Sequence, residues 1–281
     1  MDKNLRGYVI ELVGTFALVY LSAAVICSDW IAQLYGRELL RPGLIGIALV
    51  AGLTYAAALA MTLPYSQGCL NPAITLMLWV YKKLDGPKTA ALIFAQLLGA
   101  VLAGGLLRLA FTPFVLGQAH FGTPHLNLQM FGGRPPDSLI LLKGVAAELA
   151  MTFILTFILY ATVVDPRVPR FLGHWGRRLI GLWVGLVLFA ITLAGFQFTG
   201  AAVNPARWFG TVIWEKTIAE LQNTGPLNDH MVFWFGPIAG ALLAGFVYNV
   251  FILPAEEEEP AVPAAGRKVS SASATLFKSK K

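Results

Sequence analysis

The sequence predicts an all-α membrane protein: six transmembrane helices plus two re-entrant half-helices, arranged as an inverted repeat. Three observations carry this reading. Of 281 residues, 57% are hydrophobic and only 13% are charged, whereas a soluble domain carries roughly 25% charged residues. Six apolar runs are long enough to cross a bilayer as helices, which takes about 20 residues each. The tripeptide Asn-Pro-Ala occurs twice, at Asn71-Pro72-Ala73 and at Asn204-Pro205-Ala206, each time after a long apolar run.

The six runs fall at about 7–27, 43–63, 88–111, 139–163, 179–198 and 230–253. Turn residues or charges separate them, in CSDW, KKLDGPK, FGGRPPD, DPRVPR and NTGPLNDH. Two shorter apolar pieces remain, NPAITLMLWVY and NPARWFGTVIW. At about 11 residues, each would reach only about 16 Å as a helix, half of a roughly 30 Å hydrocarbon core. Asparagine is a favoured N-cap, and proline suits the first helical position because its missing N–H has no intrahelical use there. One Asn-Pro-Ala is an ordinary helix start. Two copies at matching places put two helix starts at mid-membrane.

The halves match in other ways. Glu11 opens ELVGT in the first run and Glu148 opens ELAMT in the fourth. Each half, about 7–111 and 139–253, reads as a span with glutamate, a span, a half-helix and a span. An odd number of spans inverts the second half in the bilayer. Inverted repeats with paired interrupted helices point to a solute pathway near the midplane. Residues 1–253 thus form one membrane domain. The segment 254–281 begins with acidic residues, continues with Pro and Ala, and ends with Ser and Lys. It has the composition of a disordered tail.

Charge placement orients the chain. With both termini in the cytoplasm, 14 basic residues lie inside and 7 outside; without the tail the split is 9 to 7. The excess favours cytoplasmic N- and C-termini. Other classes find little support. The two cysteines, Cys27 and Cys69, make neither a disulfide framework nor a metal-ligand pattern. The first run lacks a cleavage site of the signal-peptide kind. The body has no polybasic patch suited to nucleic acid. HExxH, GxSxG and glycine-rich phosphate loops are absent from the sequence, so no enzyme, cofactor or metal is expected.

A helix starting at mid-membrane carries unsatisfied N–H groups and about half a positive charge at its N-terminus. Lipid cannot satisfy these groups, but a polar lumen can. The inverted halves bring the two starts nose to nose. Asn71 and Asn204 would each offer an amide N–H to a passing oxygen. A water held by both donors cannot also receive a proton from its neighbours, so proton hopping is interrupted while water moves.

These residues resemble the aquaporin, or major intrinsic protein, family over about residues 7–253. The likeness rests on both Asn-Pro-Ala motifs, Glu11, Glu148, AQLLGA with Gln96, Arg207 directly after the second motif, and FWFGPIAGALLAG in the last run. It implies six tilted helices and two half-helices around one pore per subunit, in a homotetramer in the lipid bilayer. It places Ala51, Thr192, Ala201 and Arg207 at an outer selectivity filter. It makes Glu11, Glu148 and Gln96 scaffold groups that hold the loops before each half-helix. The stretches before the asparagines read as extended lumen walls, with the carbonyls of Gly68, Cys69, Leu70, Gly200, Ala202 and Val203 as acceptors.

Some positions depart from the family pattern. Water-selective members usually carry an aromatic and a histidine where this chain has Ala51 and Thr192. Glycerol-conducting members place an aspartate after the arginine, where this chain has Trp208. Phe233-Trp234 resembles the water-channel side. Three small filter residues predict a lumen wide enough for urea, hydrogen peroxide or boric acid, with glycerol less favoured. His120 and His125, in the loop after the third span, are either solvated or placed near the mouth, where they would confer pH sensitivity. The resemblance implies a passive channel for water and small uncharged solutes that excludes protons and ions. One alternative is a channel mainly for a small neutral solute. The other is a proton-coupled carrier using Glu11 or Glu148.

Overall fold

The computed structural model describes residues 3–133, 137–165, 167, 179–218 and 229–253. Among them every regular element is helical. In chain order these are α1 (Lys3–Leu34), α2 (Gly43–Thr62), α3 (Pro72–Val80), α4 (Gly86–Ala110), α5 (Pro113–Gln118) and α6 (Ser138–Leu159). They continue with α7 (Ile180–Thr199), α8 (Pro205–Glu215) and α9 (His230–Val247). Wider π-turns, Tyr160–Val164 and Tyr248–Ile252, extend α6 and α9. Six of the helices, α1, α2, α4, α6, α7 and α9, are long and apolar enough to cross a membrane. The half-helices α3 and α8 have 9 and 11 residues. The expected tail lies outside the described residues.

Helix ends follow local chemistry. Asp85 and Asp137 cap α4 and α6 by accepting the N–H of Lys88 and Ile140, both at 2.8 Å. Such caps contribute about 1 kcal/mol each. One end differs from expectation: α1 passes through CSDW and stops at Leu34 instead of near residue 27. Asp29 stays helical because its carboxylate has partners across the turn. It accepts Arg41 Nη2 at 3.0 Å and the Gly43 N–H at 2.9 Å.

The packing is two-fold in pattern. Helix α1 lies along α4 as α6 lies along α9, and α2 packs on α7. The half-helices are exchanged: α3 packs mainly on α9, and α8 mainly on α4. Neither half can therefore close around its own half-helix. At the α2–α7 contact a Cβ on Gly185 would stand 2.5 Å from the Gly52 carbonyl oxygen, and one on Gly52 2.6 Å from that of Gly185. Lipid is as apolar as leucine, so helices in it associate through such close packing of small residues. The core surrounds the half-helices. Leu70, Ile74, Met77 and Leu78 are fully buried, and Trp208 stacks on Phe233 at 5.6 Å. Outward faces keep large apolar groups exposed, including Ile45, Phe94, Leu109 and Phe235, as contact with lipid requires.

Candidate functional site

The chain before each half-helix is held by a buried glutamate. Glu11 accepts four hydrogen bonds: Ser66 Oγ at 2.5 Å, the Cys69 N–H at 2.9 Å, the Leu70 N–H at 2.7 Å and Gln96 Nε2 at 2.9 Å. Glu148 accepts three: Thr199 Oγ1 at 2.5 Å, the Ala202 N–H at 3.0 Å and the Val203 N–H at 2.7 Å. Both side chains are fully buried. A buried carboxylate costs several kcal/mol unless its oxygens are satisfied, and here they are. Ser66, Cys69 and Leu70 match Thr199, Ala202 and Val203 in the other half, and Gln96 is an additional donor. Gln96 also donates to Thr75 Oγ1 at 3.0 Å, which ties α4 to α3.

The loop backbones are unusual. Leu70, Ala201 and Val203 have φ of 53°, 46° and 46°, and Gly68 and Gly200 have 64° and 77°. Such left-handed conformations cost a non-glycine residue of order 1–3 kcal/mol and persist only where surroundings enforce them. Glu11 holds the Leu70 N–H and Glu148 the Val203 N–H, while Thr199 Oγ1 accepts the Ala201 N–H at 3.2 Å.

The asparagines join the halves. Asn71 Oδ1 accepts the Ala73 N–H at 2.9 Å, and Asn204 Oδ1 accepts the Ala206 N–H at 2.9 Å. Their amide nitrogens reach across: Asn71 Nδ2 donates to the Val203 carbonyl and Asn204 Nδ2 to the Leu70 carbonyl, both at 2.8 Å. Each amide has two N–H groups, so one remains on each residue. Pro72, Ala73, Pro205 and Ala206 form the buried first turns. Three of the six expected acceptor carbonyls thus have protein donors: Leu70, Val203 and Gly200, which accepts Arg207 Nη1 at 3.3 Å. Each such oxygen keeps one lone pair for another donor.

Ala51, Thr192, Ala201 and Arg207 meet around one narrow cavity of about 10 Å³, with Ala202, Val203 and Asn204 beside them. A space of that size holds about one water. Leu18, Ser22, Tyr55 and Leu188 also line it. Tyr55 and Leu188 thus set bulk beside the three small residues. Ser22 Oγ and Tyr55 OH are buried with no hydrogen-bond partner among the described residues. Buried polar groups are rarely left so, and water in the cavity would satisfy both. The four lining residues carry no motif, yet they lie one helical turn from one another or from filter positions. Leu18 pairs with Ser22 on α1, Ala51 with Tyr55 on α2, and Leu188 with Thr192 on α7. That i, i+4 spacing is the signal that finds them. Arg207 is 7% exposed. It lines the cavity, and the hydrogen bond its guanidinium donates to the Gly200 carbonyl engages one of its five donors.

The major intrinsic protein family matches residues 1–248. The chain belongs to that family. Relatives include the probable aquaporin TIP4-1 of Oryza sativa subsp. japonica, 34% identical, which covers 91% of this chain and 90% of the relative. Aquaporin TIP4-4 of Zea mays is 36% identical over the same shares. The X-ray structure of the aquaglyceroporin from Plasmodium falciparum is similar at TM-score 0.69 and 23% identity, covering 89% of this chain and 98% of that one. At that identity the likeness is one of fold.

In this major intrinsic protein the two loop histidines are engaged with acids. His120 Nδ1 lies 2.9 Å from Glu215 Oε1. His125 Nε2 lies 2.9 and 3.1 Å from the Glu215 oxygens, and its Nδ1 lies 3.3 Å from Asp229 Oδ2. Burial opposes charge on His125, but its bonds to Asp229 and Glu215 outweigh it and raise the pKa to about 9. Neither Glu215 nor Asp229 carries a sequence signal, because both meet the loop only through the fold.

Proposed function

We propose that the protein is a passive transmembrane channel for water, which also passes uncharged solutes small enough for the narrow cavity and excludes protons and ions. Relatives named as aquaporins support water as the solute. The observation that carries the reading is the reciprocal bonding at the facing N-termini of α3 and α8, where the Asn71 amide donates to the Val203 carbonyl and the Asn204 amide to the Leu70 carbonyl. Two helix ends there make the midplane positive, and each asparagine keeps one donor for a passing oxygen. A water bound to both must accept from both. It moves on without relaying a proton.

Arg207, with Ala51, Thr192 and Ala201, would form the filter. Its guanidinium repels cations and donates to neutral solutes. The carbonyls of Gly68, Cys69, Leu70, Gly200, Ala202 and Val203 would accept from water along the path. Glu11, Glu148 and Gln96 act as scaffold. The hydrogen bonds that hold both glutamates, four at Glu11 and three at Glu148, support this over a carrier mechanism, in which one of them would have to take and release a proton. Transport needs no enzyme chemistry. We place both termini in the cytoplasm and the channel in a homotetramer, as the charge distribution and the family suggest.

Stopped-flow shrinkage of proteoliposomes against a panel of neutral osmolytes tests the proposal. Water permeability should rise well above that of empty vesicles, with solutes passing in order of size. Uphill solute uptake driven by a pH gradient would favour the carrier instead.

A further inference from the structure

We propose that His120, His125 and Glu215 bind one divalent transition-metal ion of the zinc class, on the membrane face opposite the two termini. With six spans, the loop joining α4 to α6 lies on that face, and so does the end of α8. One ligand atom from each residue lies within 4.8 Å of the others. Two imidazole nitrogens and one carboxylate oxygen are a donor set that zinc takes, with water in the fourth place. Tetrahedral bonds of about 2.0–2.1 Å set ligand atoms roughly 3.4 Å apart. The two histidine–Glu215 separations, 2.9–3.1 Å, need to open by a few tenths of an ångström, and the imidazole nitrogens lie within 4.8 Å of each other. The two imidazole rings lie edge to face, with centroids 5.5 Å apart. His120 is 48% exposed and leaves a way in from solvent for the ion and its water.

Three further features fit a built site. A zinc-ligating histidine commonly gives its second nitrogen to a carboxylate, which fixes the ring. His125 does this: Nδ1 faces Asp229, which also accepts the Leu126 N–H at 3.2 Å, and Nε2 faces Glu215. The Glu215 carboxylate is fully buried, and among the described residues its ion-pair partners are the two histidines alone. A cation between them would compensate that charge. The loop also adopts a costly conformation to present His120. His120 and Phe121 both have positive φ, 47° and 59°, and Phe121 is fully buried as an anchor. Strain of this kind collects where a side chain must be aimed.

The donors select against other cations. Calcium and magnesium take oxygen ligands, and this cluster offers a single carboxylate. Binding breaks the histidine–Glu215 hydrogen bonds and releases the protons they hold. The ion would join the loop to the C-terminus of α8, whose first turns carry Asn204 and Arg207. Site and channel are separate claims, and failure here leaves the channel reading untouched.

The test is titration of the purified full-length protein, free of any polyhistidine tag, with zinc chloride by calorimetry and with cobalt(II) by visible absorption. We expect one saturable site per chain and the intense bands of tetrahedral cobalt. His120→Ala, at an exposed position, and His125→Gln should each weaken zinc binding by about tenfold or more, since each removes one of three protein ligands. Excess calcium or magnesium should not displace the ion. Gel filtration and water permeability show that the variants are assembled. Absence of saturable binding by the wild type would overturn the proposal. So would binding that survives both substitutions, which would place the ion elsewhere.

Discussion

Replacing Asn204 with Asp exchanges one amide for a carboxylate where the two half-helices meet. The cap survives, because Oδ1 still accepts the Ala206 N–H. The donor to the Leu70 carbonyl is lost, and two oxygens face each other across what was a 2.8 Å hydrogen bond. Leaving that buried carbonyl without its donor costs about 1–3 kcal/mol. Two helix N-termini, each worth about half a positive charge, offset part of this. They are also what the new charge cancels. A unit charge about 4 Å from a passing cation, at an effective dielectric of about 20, changes its energy by about 4 kcal/mol. Each 1.36 kcal/mol is tenfold in rate, so cation leakage should rise by about three orders of magnitude. The assay is proteoliposome proton flux by a pH-sensitive dye, with bilayer currents for sodium and potassium. An assembled, water-conducting Asn204→Asp variant as cation-tight as the wild type would refute the electrostatic account of the paired motifs.

Other substitutions probe the remaining parts. Arg207→Val removes a fixed cation and the donor to Gly200, so neutral flux should persist while cation exclusion weakens; lost water flux with intact exclusion would make Arg207 structural. Leu188→Ala widens a cavity that now holds about one water, and urea flux should rise more than water flux in the same vesicles, since diameter governs selectivity; unchanged urea flux would show that the narrow point lies elsewhere. Asp165, 1% exposed, accepts Arg167 Nη2 at 2.7 Å and Tyr248 OH at 2.8 Å. The Arg167 hydrogen bond leads in lowering its pKa from 3.8 to about 2. A depressed carboxylate stabilises the fold fully above pH 3.8, and that contribution is lost as pH falls through about 2. Asp165→Asn should therefore lower stability near neutral pH by about 1–2 kcal/mol, because half-exposed Arg167 is screened. An unchanged thermal midpoint in detergent would contradict this.

Much of the fold was legible because its signals are local. Twenty-residue apolar runs, an N-cap asparagine followed by proline, and a glutamate in an apolar span each announce themselves within a few residues. The end of α1 was misread because Asp29 looked like a break; its partners, Arg41 and Gly43, are held by the fold of the following turn. The exchange of half-helices was not legible. It sends the Asn71 amide to Val203 and the Asn204 amide to Leu70, and no local pattern specifies that pairing. The rest of the cavity lining was not legible for a related reason. Ala51 and Thr192 announce themselves by their distance from the motifs, whereas Tyr55 and Leu188, one turn away on the same helix faces, join the lining only through the fold. The histidine cluster lay furthest from reach, since His120 and His125 meet Glu215 about ninety residues along the chain.

Water and proton permeability measured together, in the same proteoliposomes, test the central claim most directly. The account predicts osmotic shrinkage much faster than in empty vesicles, while an imposed pH gradient decays no faster than in empty vesicles. Water flux no greater than that of the bare bilayer, or a pH gradient that collapses as water moves, would contradict it.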